Sequence, residues 1–193
     1  GEIDTSIDCG LNCIQDNYSL IDANLGVNKA NYFIERSQEV DLIVNKEYIN
    51  HELVVKYNNN ATNVVGARGL YKNYTRLLIP QESTNVSIKA INSNGDFTNL
   101  EFDSVEINNR KEIGFLLEVL PGSSQKIQIV WDLPNDKLKQ GGEYKILIRK
   151  QAGTNDDGLK VNVVSKDLSL TGKALPVYNT TLARDFSASL FFK

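Results

Sequence analysis

Apolar and polar residues alternate along most of this chain, most clearly between Ile113 and Gln151. Ile113, Phe115, Leu117 and Val119 alternate with Gly114, Leu116, Glu118 and Leu120, and Pro121-Gly122-Ser123-Ser124 then breaks the run. Ile127, Ile129 and Trp131 alternate with Lys126, Gln128 and Val130, and Tyr144, Ile146 and Ile148 with Lys145, Leu147 and Arg149. Successive side chains of a strand point to opposite faces, so a period of two buries one set and turns the other toward solvent. The segment predicts three strands of an antiparallel sheet, punctuated by turns.

The same pattern extends toward both ends. Residues 18–25 predict a first strand, stopped at Gly26-Val27-Asn28. Residues 30–44 hold two strand-like pieces around Ser37-Gln38, with Tyr32, Ile34, Val40, Leu42 and Val44 inward. Asn45-Lys46-Glu47 turns this piece into residues 51–57, which predicts a hairpin. After the polar connection over 58–70, residues 71–79 are strand-like up to Pro80, which cannot donate to a ladder. Val86, Ile88 and Ala90 run into Asn94-Gly95, residues that tolerate the positive φ of a type I′ turn, and residues 100–107 return. Asp157-Gly158 predicts a hairpin joining residues 144–150 to 159–164, and residues 185–192 form a last strand. About ten short strands, with at most one helical turn around Leu138, predict an all-β, antiparallel Ig-like β-sandwich. The expected organisation is an irregular N-terminal segment over 1–16 and a sandwich over 17–193. The alternative is a division into two Ig-like units near residues 80–95.

Composition narrows the function classes. A chain of 193 residues with 41% hydrophobic and 23% charged residues is an ordinary globular domain. A net charge of −3 with scattered Lys and Arg argues against nucleic acid and against an anionic membrane surface. No apolar run approaches the roughly 20 residues needed to span a bilayer, so no membrane insertion is expected. The chain contains no Met, which implies a processed product or an excised segment. The abundance of Asn, beside many Lys, Ile and Tyr, fits an AT-rich bacterial genome better than a thermophile.

Cys9 and Cys13 are separated by three residues, Gly10-Leu11-Asn12. A short-loop disulfide is the expected state and implies an oxidising compartment. Reduced thiols, or half of a metal site, are the other readings. Zinc needs about four ligands, and His51 is the only histidine, so no metal is expected.

Little else in the chain carries chemistry. His51 reads as a rim residue at a sheet edge, and without it no Ser-His or Cys-His pair can be built. Glu101 and Asp103 share a strand face, and Asp156-Asp157 belongs to an expected turn; neither matches a calcium loop. No glycine pattern for phosphate is present, and no cofactor is expected. Trp131, with Tyr71 and Tyr74, is the candidate stacking platform for a sugar, although Trp131 shares a face with Ile127 and Ile129 and reads first as core. A Lys–Asn isopeptide bond, as in bacterial surface sandwiches, would need a buried Lys, Asn and carboxylate. Lys29 beside Asn28 or Asn31 is the one suggestive place.

Four segments carry a family resemblance: DANLGVNKANYFIERS (residues 22–37), YKNYTRLLIP (71–80), LEVLPGSSQKIQIVWDLP (117–134) and YKILIRKQAGT (144–154). In order and spacing they resemble the C-terminal portion of domain-of-unknown-function family 4012. The resemblance covers most of the chain from about residue 20 onward, and its first block is the most specific. It implies a bacterial envelope protein tethered by a membrane segment outside this chain, with cell-surface or polysaccharide functions; the family has no established catalytic residues to carry over. Within the first block, Asn28 and Lys29 are the candidate recognition patch, with turn capping as the structural reading.

The leading expectation is a non-catalytic, extracytoplasmic β-sandwich of a bacterial surface protein, with a scaffold or protein-interaction role. Exposed edge strands would provide for partner pairing. A carbohydrate-binding module for envelope polysaccharide and a polysaccharide-processing enzyme are the rivals.

Overall fold

The computed structural model describes residues 12–26, 29–62, 69–92, 94–138, 141–171 and 176–193. The strands are β1 (Cys13–Asn24), β2 (Ile34–Val44), β3 (Tyr48–Asn59), β4 (Tyr71–Pro80), β5 (Thr84–Ile91), β6 (Phe97–Asn99) and β7 (Asp103–Ile107). They continue with β8 (Arg110–Val119), β9 (Ser124–Pro134), β10 (Gly142–Arg149), β11 (Asp157–Ser165), β12 (Leu170–Thr171), β13 (Val177–Leu182) and β14 (Phe186–Phe192). A single 3₁₀ turn over Ala30–Phe33 is the only helix among the described residues. It replaces the strand expected there and leaves Tyr32 exposed. Around Leu138, which is buried, the described backbone is bent and not helical.

Two seven-stranded sheets form a β-sandwich-like fold. The first runs β12-β14-β10-β1-β4-β8-β7 and the second β13-β11-β2-β3-β9-β5-β6. Their apolar faces share one core, which includes Tyr18, Leu77, Phe115, Tyr144 and Ile146 from the first sheet and Leu42, Leu53, Ile129, Trp131 and Val161 from the second. Strands from before residue 80 and after residue 95 pair within both sheets, as in β4 with β8 and β3 with β9.

The expected antiparallel, Ig-like arrangement is corrected in three respects. The described residues form fourteen strands and not about ten. Both sheets are mixed, since β1 pairs in parallel with β10 and β2 in parallel with β11. Consecutive strands also change sheets where hairpins were expected: β8, β9 and β10 are never neighbours, and β10 and β11 lie in different sheets. Alternation reports which face a residue occupies. It does not report a strand's partner or direction, so these features escape a period-two reading.

Other expectations hold locally. The β2–β3 hairpin closes as predicted, with Val44 opposite Ile49, and β14 is the final strand. The returning strand expected over residues 100–107 is instead the short β6, which pairs with β5, and the chain then crosses to the first sheet as β7. β1 already begins at Cys13, inside the segment expected to be irregular. Among the described residues no helix is long and apolar enough to cross a membrane.

Candidate functional site

Several inward-facing strand positions are polar, and they organise the interior into two networks. In β2 the buried positions are Ile34, Arg36, Gln38, Val40, Leu42 and Val44, so Arg36 and Gln38 occupy places that the alternation reserves for the core. Arg36 donates from Nη1 to Asp22 Oδ2 at 2.6 Å and from Nε to Asp157 Oδ2 at 2.7 Å, tying β2 to β1 in the opposite sheet and to β11. Asp157 also accepts from Gln38 Nε2 at 2.7 Å, and Asp22 Oδ1 accepts from Tyr57, Asn73 and Thr75. Burial works against the Arg36 charge, yet Asp22, Tyr57 and Asp157 outweigh it and raise the guanidinium pKa. Asp157 was expected in a turn; its carboxylate is instead an interior counter-ion.

The second network surrounds His51. This residue is fully buried and not at a sheet rim, because β3 begins before it and is paired on both sides, with Leu42 and Trp131 opposite it. Its ring stacks on Trp131, with centroids 4.4 Å apart and planes 12° from parallel. Nδ1 lies 3.1 Å from the Ile49 carbonyl oxygen and Nε2 2.5 Å from Asp16 Oδ2, which also accepts the Tyr144 hydroxyl. Both ring nitrogens of His51 are thus within hydrogen-bond distance of an oxygen atom. The arrangement resembles a charge-relay group in composition, but its members are buried inside the core.

The buried phenols belong to these networks. Burial raises the pKa of Tyr18, Tyr57, Tyr71 and Tyr144 above the ordinary tyrosine value. Asp22 adds to the shift at Tyr57 and Tyr71, and Asp16 adds to it at Tyr144.

The surface differs most from expectation at the β6–β7 side, where both sheets end. Ile107 and Arg110 flank a two-residue turn, Asn108-Asn109, with φ of 50° and 58°, both positive as a type I′ turn requires. That turn locks the register and places Val105 opposite Glu112 and Asp103 opposite Gly114. On β8 the core face holds Ile113, Phe115, Leu117 and Val119, so Glu112 and Gly114 point outward. Val105 and Ile107 must point outward with them, while Ser104 and Glu106 take the inner side. The hydrophobic phase of β7 is thus opposite to the one the fold would bury. Val105 is 58% exposed, Ile107 47% and the neighbouring Leu116 65%.

On the same outer face a shallow groove of about 460 Å³ is lined by residues that include Tyr74, Leu100, Phe102, Gly114 and Leu116, with Glu101 and Asp103 among its polar groups. The Tyr74 phenol lies where a Cβ on residue 114 would sit, so Gly114 is what allows the ring to rest against the sheet. The Tyr74 hydroxyl donates to Asp103 Oδ2 at 3.4 Å.

The structure scatters the residues singled out from sequence. Trp131 and Tyr71 are buried in the core, leaving Tyr74, half-buried, as the only one of the three aromatics at the surface, so no stacked platform forms. Lys29 and Asn31 are exposed, and Asn31 Oδ1 accepts from Asn24 Nδ2 at 3.4 Å. The buried environment an isopeptide bond needs is therefore missing at Lys29. Asn28 and Cys9 lie outside the described residues, whereas Cys13 is buried at the start of β1. Among the described residues no cluster of three or more His, Cys, Asp or Glu could hold a metal ion.

No family model matches this chain, and no curated protein is similar to it. Its fold is similar to that of a candidate nutrient-binding protein from Legionella pneumophila, with a TM-score of 0.53 and 6% identity over 91% of this chain and 70% of that one. At that identity the likeness shows the fold alone. An M1 zinc metallopeptidase from Deinococcus radiodurans gives a TM-score of 0.31 and 8% identity over 82% of this chain and 38% of that one, which carries no argument.

Proposed function

We propose that this chain is a non-catalytic, extracytoplasmic β-sandwich module of a bacterial surface protein, and that it works as a protein-interaction module through its β7 edge. One observation carries the reading: a type I′ turn locks β7 in the register that turns Val105 and Ile107 to solvent. A folded domain exposes an ordered apolar edge at the risk of aggregation, and such edges are where strand-adding partners dock. The sealing of His51 and Asp16 inside the core supports a role other than catalysis. The envelope setting and membership of family 4012 belong to the same proposal and rest on the resemblance of residues 22–37 and the three later segments; an oxidised Cys9–Cys13 pair belongs to it too and rests on the spacing of the two cysteines, which lie outside those segments. A glycan is the second reading, favoured by the single aromatic ring of Tyr74 beside Asp103.

In-cell photocrosslinking separates these readings. A photoreactive residue at Val105 should give a protease-sensitive adduct with an envelope protein. The same residue at Lys160, on the exposed side of β11, should give none. Equal adducts at both positions, or a glycan adduct at Tyr74 with nothing at Val105, would overturn the proposal.

A further inference from the structure

The type I′ turn also determines which main-chain groups of β7 are free. Residues flanking a two-residue turn exchange both ladder hydrogen bonds, so Ile107 bonds to Arg110, Val105 to Glu112 and Asp103 to Gly114. Ser104 and Glu106 then aim their N–H and C=O groups away from β8, and among the described residues β7 has no other neighbour in its sheet. These groups are a template for one more strand.

The side chains along this edge set the chemistry of that strand. Glu101, Asp103 and Glu106 are all exposed, and among the described residues none of them forms an ion pair. Their hydrogen-bond partners are neutral: Gln81 Nε2 donates to Glu106 at 2.9 Å, and Tyr74 donates to Asp103. On the neighbouring strands Lys111 donates to the Ser83 carbonyl and Arg76 pairs with Glu112 at 3.7 Å. A second copy of this chain would double the same three carboxylates along one seam, which disfavours self-pairing.

We infer that β7 takes an extended segment of a partner protein with Lys or Arg opposite Asp103 and Glu106 and apolar residues opposite Val105 and Ile107. This inference rests on the reading of β7 as the interface. For an antiparallel partner the complementary order is apolar, basic, apolar, any residue, basic. The basic residue opposite Asp103 stands beside the groove, where Tyr74, Phe102 and Leu116 can cover its aliphatic stem while Glu101 and Asp103 meet its charge.

The test measures binding of the full chain to two synthetic strand peptides, one built on Val-Lys-Val-Thr-Lys and one with Glu replacing Lys. The basic peptide should bind about tenfold more tightly at low salt, from two exposed ion pairs, and the preference should shrink at high salt. In the Asp103→Lys/Glu106→Lys variant the preference should reverse. Ser104→Pro removes an outward N–H at an edge position where proline is tolerated, so it should abolish binding while leaving the melting temperature near that of the wild type. Equal binding of both peptides, lost in Ser104→Pro, would overturn the basic-partner inference and leave the edge reading intact. Binding that survives Ser104→Pro, or no binding of either peptide, would overturn both.

Discussion

Replacing Arg36 with methionine should destabilise the fold by about 3–5 kcal/mol, because two buried carboxylates lose the cation they share. The side chains of Arg36, Asp22 and Asp157 are only 5%, 10% and 5% exposed, so water cannot take over the lost bonds. Asp22 would keep its donors from Tyr57, Asn73 and Thr75, and Asp157 would keep Gln38. None of these is charged. Arg36→Lys should recover little, since a single ammonium cannot reproduce the separate Nε and Nη1 contacts. Lys160→Met is the control: it removes an exposed ion pair to Glu39 and should change stability by less than about 1 kcal/mol. Urea unfolding measures all three. A loss below about 1 kcal/mol for Arg36→Met would show that the network is hydrated and is not a cross-sheet tie.

Raising the pH above about 10 should unfold the protein steeply. Tyr18, Tyr57 and Tyr144 are enclosed, and burial holds each phenol neutral after the same phenol in an unfolded chain has ionised. Their folded pKa values are raised, so their contribution is complete below the unfolded value near 10 and is lost as pH climbs toward the folded value. Each fully buried phenol removes about 1.4 kcal/mol per pH unit, or about 4 kcal/mol per unit for the three together. Against a typical stability of about 5–15 kcal/mol, that is enough to unfold the chain within roughly one to four units. Tyrosinate absorbance and the near-ultraviolet signal of buried Trp131 should change together for this set. Gradual ionisation with the Trp131 signal intact would contradict the account.

Much of the interior was legible in the sequence. Ile127, Ile129 and Trp131 are core as their alternation requires, and the β2–β3 hairpin follows from Asn45-Lys46-Glu47 between two alternating runs. The polar networks left a trace as well: Arg36, Gln38 and His51 fall in register with buried apolar neighbours. A charged residue on an apolar stripe is ambiguous until its partners are known, and Asp22 and Asp157 are distant in sequence from each other. Asp157-Gly158 misled because its composition suits a turn, whereas its backbone pairs with β13 and, through Gly158, with β2.

The candidate interface was hidden for a different reason. Alternation within residues 103–107 argues that Val105 and Ile107 face inward. Only the Asn108-Asn109 turn and the pairing with β8 reveal that they face outward. At this edge the local pattern and the global register conflict. Such local conflicts tend to mark function, since a stable fold otherwise removes them.

Residue-resolved amide exchange along β7 tests this account most directly. In the free protein Ser104 and Glu106 should exchange rapidly, whereas Val105 and Ile107, bonded to β8, should be slow. Adding the basic strand peptide should slow Ser104 and Glu106 and leave Val105 little changed. Protection of Ser104 and Glu106 in the free protein, or no change at either on adding the peptide, would contradict β7 as an open edge that receives a partner strand.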